Sequence, residues 1–330
     1  MYLPLISQPR RSLRQRAEGS TGGASSGAKG ITGGSGESEG GAGGLSSGHS
    51  VGKKLIQWRF SGTSTDGEAS KVPLSSSSSM SLGKSSATAY GYGGGDSIVI
   101  PDGQPFAGRS AGGGTRGQIF GNRTYGSGYP GITGYGVSGR GFPFWFWPVV
   151  WSDTAAESQP YLNGSEYGNA SNTSRFGGPL MEATFISNSS SPNTTFHVLS
   201  DNSTVTSLIQ SIDANCSHYL SSSSSSSPIP FDVSSANAPQ PQQAVQYYRA
   251  SSVVLTLDGY NNSATFSSNA NLTDSPLPSN MDMNLSVCLN QTIARAVPLV
   301  NGALPSSFVA PPLASVAVLA VVISFLLSSF

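Results

Sequence analysis

The sequence predicts an α+β fold: a small disulfide-stapled domain behind a long disordered Gly/Ser-rich arm, with a hydrophobic tail at its C-terminal side. Three observations lead there. Of the 41 glycines, 35 fall in residues 1–141, which leaves little apolar surface in that half to offset the entropy of ordering it. Between 180 and 296, two-residue alternation and helical spacing follow one another along the chain. The only two cysteines, Cys216 and Cys288, each extend an apolar helical stripe.

The divisions follow composition. Residues 1–115 read as a low-complexity arm, with Ser75–Ser79 as one serine run. Residues 116–151 form a Gly/Tyr and aromatic-rich segment. Its end, Phe142-Pro-Phe-Trp-Phe-Trp-Pro-Val-Val-Trp151, holds three of the four tryptophans. That run is too short to span a bilayer and is expected to lie extended against the domain rather than form an adhesive patch. Residues 152–300 are the expected glycosylated α+β domain, and 301–330 the anchor signal and tail.

Within the domain, Leu180 to Ile186 and Thr195 to Leu199 read as strands joined by a Ser/Asn/Pro turn. Asp201, Asn202 and Ser203 offer N-caps for a helix carrying Val205, Leu208, Ile209, Ile212 and Cys216 on one face. Ser221–Ser227 and Pro228–Gln243 read as loop, and Ala244–Arg249 as a helical turn. Val253-Val-Leu-Thr-Leu257 is the best strand, stopped by Asp258-Gly259. Met281 to Ala296 places Leu285, Cys288, Leu289 and Ile293 on a second helical face. A Cys216–Cys288 bridge would then staple two helices over a small sheet.

Charge is zero overall but uneven. Residues 1–60 carry eight Lys/Arg and three acids, whereas 151–330 carry three and ten. A basic arm before an acidic body reads as a solvated tail. Arg116-Gly117 and Arg140-Gly141 beside Tyr/Gly runs suggest RNA-binding tails, but no aromatic RNP-type strand accompanies them, and nucleic acid is not expected.

The C-terminus carries the localisation signal. Leu313 to Leu327 is fifteen residues without a charge, and no Lys or Arg follows Arg295, as a plasma-membrane span would show. Upstream, Asn301-Gly302-Ala303 is a run of three small residues, with nine residues from Leu304 to Pro312 before the tail. Together these form a glycosylphosphatidylinositol (GPI) signal with Asn301 as the lipid-bearing residue. The N-terminus has its arginines after a short apolar patch, Met1 to Ile6, the reverse of a secretory signal; the true start of the gene product is expected elsewhere.

Glycosylation sequons support secretion. They occur at Asn122, Asn163, Asn169, Asn172, Asn188, Asn193, Asn202, Asn215, Asn261, Asn271, Asn284 and Asn290, eleven of the twelve between 163 and 290. Asn215 is the doubtful one, because Cys216 is its middle residue. In that compartment Cys216 and Cys288 are expected as a disulfide.

Catalytic and cofactor motifs are weak. Gly126-Ser-Gly128-Tyr-Pro-Gly131 matches a dinucleotide fingerprint without a preceding strand, and Gly83-Lys84-Ser85 lacks the leading glycine of a P-loop. Gly23 to Gly27 and Gly44 to Gly48 match a nucleophile elbow only as Gly/Ser tracts do. Glu166, Glu182, Asp201 and Asp258 supply carboxylates for a glycosidase-like pair, and His197 and His218 candidate bases, though nothing in their spacing requires a site. His49, His197 and His218 are the only histidines and no Cys-x-x-Cys occurs, so neither metal nor cofactor is expected.

Arg116–Trp151 and Gln246-Tyr-Tyr-Arg-Ala-Ser-Ser-Val253 through Leu257-Asp-Gly-Tyr-Asn-Asn262 resemble a group of uncharacterised fungal surface proteins. The resemblance covers roughly residues 85–300 and implies a Gly/Ser-rich, GPI-anchored surface protein with paired cysteines and no assigned activity. The expected function is thus a non-enzymatic GPI-anchored glycoprotein of the cell surface, plasma membrane or cell wall. Its expected partners are the membrane, through a lipid anchor or span, and wall polysaccharide. The alternatives are an anchored hydrolase of wall glycans and a tail-anchored intracellular Gly-rich protein.

Overall fold

The computed structural model describes residues 68–75, 82–151, 162, 165–189, 193–267 and 272–301. Most of the arm, the tail after Asn301, and the sequons at Asn163 and Asn271 lie outside them, as do His49 and the elbow-like tracts. Five strands form one antiparallel sheet: β5 (Leu180–Ile186), β6 (Thr195–Asp201), β7 (Ile229–Pro230), β8 (Ala244–Tyr248) and β9 (Val253–Leu257), in the order β7-β5-β6-β9-β8. Two short ribbons precede it. The first pairs β1 (Ser70–Pro73) with β2 (Ser86–Ala89), and the second pairs β3 (Ile98–Val99) with β4 (Ser110–Ala111).

Alternation along the strands gives the sheet two different faces. Register puts Phe185, Ala183, Phe196, Val198, Leu255 and Val253 on one face with Tyr248. Tyr248 donates its hydroxyl to Asn290 Oδ1 at 2.6 Å, so this face lies under the helices. Helix α1 (Asn202–Cys216) buries Val205, Leu208, Ile209, Ile212 and Cys216. Helix α2 (Met283–Ala296) buries Leu285, Leu289 and Ile293. Asp201 caps α1 by accepting from Thr204 N at 2.9 Å, and Asp282 caps α2 by accepting from Leu285 N at 3.0 Å. The disulfide Cys216–Cys288 joins the two helices across 72 residues.

Tyr247, Val254 and Leu199 face the opposite way, where the aromatic-rich segment covers them. The Tyr125 ring lies 5.7 Å from that of Tyr247, and the Trp151 ring 6.3 Å from that of Phe231. Phe144, Trp145, Phe146, Trp147 and Trp151 are all buried, as expected of an extended cover rather than an adhesive patch. The β8 edge is covered, and β5 is lined beyond its short pairing with the exposed edge strand β7. Residues 119–122 pair with β8 through Gly121 N to Tyr247 O and Tyr247 N to Asn122 O, and Ser221–Ser225 line β5 through Ser221 N to Ile186 O and Ser225 N to Thr184 O.

Two expectations need correction. Ala244–Tyr248 is a strand, not a helical turn, because it completes a hairpin with β9 and takes residues 119–122 on its outer side. The arm does not extend to residue 115. Residues 82–115 pack on the domain, with Ala87, Ala89, Ile100 and Ala111 buried, and Thr88 exchanges backbone hydrogen bonds with Leu299. Glycine serves there as a close-packing backbone rather than as a spacer: a Cβ on Gly114 would run into the Phe144 ring and the Pro143 carbonyl.

Candidate functional site

Of the four candidate carboxylates, Glu182 and Asp258 come together, and they do so around His197. Register explains it. Thr184 and Thr256 flank His197 across the strands, while Glu182 and Asp258 sit two residues from those threonines on the same face. Glu182 Oε1 lies 2.7 Å from His197 Nδ1, and Asp258 Oδ1 lies 3.0 Å from Nε2. The His197 side chain is 9 % exposed, that of Glu182 12 % and that of Asp258 51 %. Burial alone would lower the His197 pKa; the hydrogen bonds and charges of Asp258 and Glu182 outweigh it and raise the value to about 9.

The group is therefore an imidazolium at neutral pH, with both N–H groups donated to carboxylates. A general base needs a free ring nitrogen and a pKa near the working pH, and His197 has neither. The imidazole also fills the space between the two carboxylates, where a glycosidase pair needs the scissile bond. What this arrangement does is hold three strands, β5, β6 and the end of β9, in register as a polar patch on the same sheet face that carries Leu199, Val254 and Tyr247.

The other candidates go elsewhere. Glu166 pairs with Arg109. Asp201 pairs with Arg249, Oδ2 to Nη2 at 2.6 Å, with both side chains buried. His218 is exposed, its ring 3.8 Å from that of Tyr219. The Gly126–Gly131 motif is not followed by a helix; it forms turns in which Gly126, at φ 88°, packs on the Gly136 backbone. Arg116 is buried and caps the end of α2, giving Nη1 to Val297 O at 2.7 Å and Ala294 O at 3.1 Å. It is not available to nucleic acid. Among the described residues no group of three or more His, Cys, Asp or Glu side chains has metal-binding geometry, and no helix is long and apolar enough to cross a membrane.

Sequence reasoning missed the buried cations. Arg249 is wholly buried. It gives Nε to Ser252 Oγ at 2.7 Å and Nη1 to Thr204 Oγ1 and Pro298 O, both at 2.9 Å, and it lies 3.5 Å from the Phe146 ring centroid. Arg175 is also buried, under Trp147, giving Nη2 to the carbonyls of Trp147 and Pro148. Burial lowers both guanidinium pKa values to about 10 and leaves them charged at neutral pH. Arg249, Ala250 and Ser251 all adopt left-handed backbone, with φ of 50°, 49° and 57°. Such a run costs roughly 1–2 kcal/mol per residue and is held here by the Arg249 contacts, by Gly126 N on Ser251 Oγ and by Val149 N on Ser251 O. No glycine or asparagine in Arg249-Ala-Ser-Ser252 signals it.

The sequon asparagines divide by exposure. Asn122, Asn169, Asn188, Asn193, Asn215, Asn261 and Asn284 are exposed, and Asn172 and Asn202 are half-buried. Asn290 is buried at 8 %, its side chain accepting from Tyr248, so a glycan there does not fit the folded domain. Asn301 lies at the domain edge just after buried Leu299 and Val300. Its side chain accepts from Gly93 N at 3.1 Å and donates to Thr88 Oγ1 at 3.2 Å. No family model, curated protein or solved structure matches this chain.

Proposed function

We propose that the protein is a non-enzymatic, GPI-anchored glycoprotein of the cell surface or cell wall. The observation that carries this reading is the Cys216–Cys288 disulfide joining the two core helices, a bond that persists in oxidising, extracytosolic compartments. The exposure of seven sequon asparagines agrees with it, as does a domain whose last paired residue, Leu299, stands two positions before Asn301. An anchor at Asn301 would tether the domain beside its Gly91–Gly93 turn with no intervening peptide linker. The anchor joins the main-chain carbonyl of Asn301, so the side-chain bonds of Asn301 to Gly93 and Thr88 are compatible with it.

Treatment of cells with phosphatidylinositol-specific phospholipase C should release the protein, and replacing Gly302 and Ala303 by tryptophan should retain the precursor inside. Mass spectrometry that finds peptides from Leu313 onward in the mature protein would replace the anchor with a retained span. A second reading, an anchored hydrolase of wall glycans, would use Glu182 and Asp258 only if His197 left the space between the two carboxylates. It fails if Glu182→Gln and Asp258→Asn both leave wall-polysaccharide turnover at the wild-type level.

A further inference from the structure

A polar groove of about 170 Å3 lies beside the disulfide, lined by Tyr90, Asn215, Cys288, Gln291, Thr292 and Arg295. The groove is smaller than the roughly 300–1,000 Å3 of a site for a drug-sized ligand, a size for a single small polar group such as one sugar. We propose that this groove seats the first sugar of an N-glycan carried by Asn215, and that the sugar covers the exposed side of the Cys216–Cys288 bridge. The inference rests on the glycoprotein reading above.

The acceptor atom sets the direction. Asn215 Nδ2 carries two protons. One is donated back along α1 to Ser211 O at 2.7 Å; the other faces the Tyr90 hydroxyl at 3.3 Å, on the wall of the groove. N-glycosylation replaces one proton by the sugar C1 and leaves the other free to donate. The helix closes the Ser211 side, so C1 takes the Tyr90 direction. Tyr90 is half-buried, and its hydroxyl must swing aside to admit the sugar. Gln291, Thr292 and Arg295 then present an amide, a hydroxyl and a guanidinium to the sugar hydroxyls and the N-acetyl group.

The middle position of Asn215-Cys216-Ser217 does not stand in the way. Asn215 and Ser217 are exposed, whereas Cys216 is wholly buried. Its partner Cys288 lies 72 residues downstream, so the sequon is available on the growing chain before the bridge can close. Cys288 is the half-exposed sulfur and lies in the groove, so reductant arrives from the side that the sugar would occupy.

The test uses the full chain made through its secretory route. Peptide N-glycosidase cuts at the Asn–sugar bond, so a seated first sugar blocks it. Native protein should lose its glycans at Asn188 and Asn284 and keep that at Asn215, which should be released only after denaturation. Ser217→Ala, which removes the sequon and keeps Asn215, should let dithiothreitol reduce the bridge about tenfold faster. An unglycosylated Asn215 beside occupied Asn188 and Asn284 overturns the proposal and leaves the glycoprotein reading standing. A chain with no occupied sequon overturns both. Native release from Asn215 as fast as from Asn284 removes the seat, and equal reduction rates remove the shielding.

Discussion

Raising the pH from 6.5 to 8.5 should destabilise the domain through His197 alone. The folded pKa of about 9 stands above the ordinary value of 6.5, so the folded state binds the proton more tightly than the unfolded chain. The resulting stabilisation is fully present below pH 6.5 and is lost as the pH rises through 9. Linkage gives about 3 kcal/mol at pH 6.5 and about 1 kcal/mol at pH 8.5. Asp258 is half-exposed, and solvent screens its share, so roughly 1–2 kcal/mol of loss is expected. For a domain of this size that is a fall of about 3–6 °C in Tm. Urea unfolding followed by the fluorescence of the buried tryptophans, with the disulfide intact, measures it at each pH. Buried Tyr125, Tyr129 and Tyr248 titrate well above this window, and Arg116, lowered to about 9 chiefly by burial, lies beyond its upper end. His197→Gln removes the titrating group and keeps a side chain that can reach one carboxylate; its stability should be flat between the two pH values. Equal slopes for the wild type and the variant, or stability that rises toward pH 8.5, would refute the clamp.

Arg249→Ala should cost about 3–5 kcal/mol, because it leaves Asp201 buried without its cation and the left-handed turn without its tether; equilibrium urea midpoints against wild type report it. Cys216→Ser with Cys288→Ser should cost about 4 kcal/mol for a bridge closing 72 residues, and reductant should reproduce the loss in the wild type. Deleting residues 1–67 should leave the unfolding midpoint unchanged, whereas deleting 1–115 should abolish cooperative unfolding, because the second cut removes β2 from Leu299 and Gly91 from Arg116. A stable domain after the longer deletion would restore the boundary expected at 115.

The parts of the fold that could be read from the sequence are those whose signal is local. Helix α1 announces itself by Asp201 as cap and by Val205, Leu208, Ile209 and Ile212 at helical spacing; the buried strand β9 is a β-branched and leucine-rich five-residue run with a turn behind it. Strand β8 is not legible in that way. Ala244-Val-Gln-Tyr-Tyr248 is short and lacks alternation, and it is extended only because β9 and residues 119–122 pair with its two sides. The site shows the same division. Glu182, His197 and Asp258 were identifiable as chemistry-bearing residues, but their meeting depends on the β5–β6–β9 register, which no spacing in the sequence encodes.

Residues 82–115 mislead for a related reason. Composition measures how much apolar side chain a segment brings to a core, and this one brings little. Its order comes instead from main-chain bonds to distant partners: Thr88 to Leu299, Gly112 to Phe142 and Gly114 to Pro143. The buried arginines extend the same principle, each donating to carbonyls far away in the chain. Arg116 joins Gly91 to Ala294 and Val297, Arg175 holds Trp147 and Pro148, and Arg249 reaches Pro298. A guanidinium presents five donors in a rigid fork, so one side chain can satisfy carbonyls that glycine-rich loops would otherwise leave buried and unpaired. With only 10 % charged residues in the chain, three arginines are placed inside: Arg116 ties the Gly91 turn of that segment to the end of α2, while Arg175 and Arg249 satisfy carbonyls of the aromatic-rich segment and of Pro298.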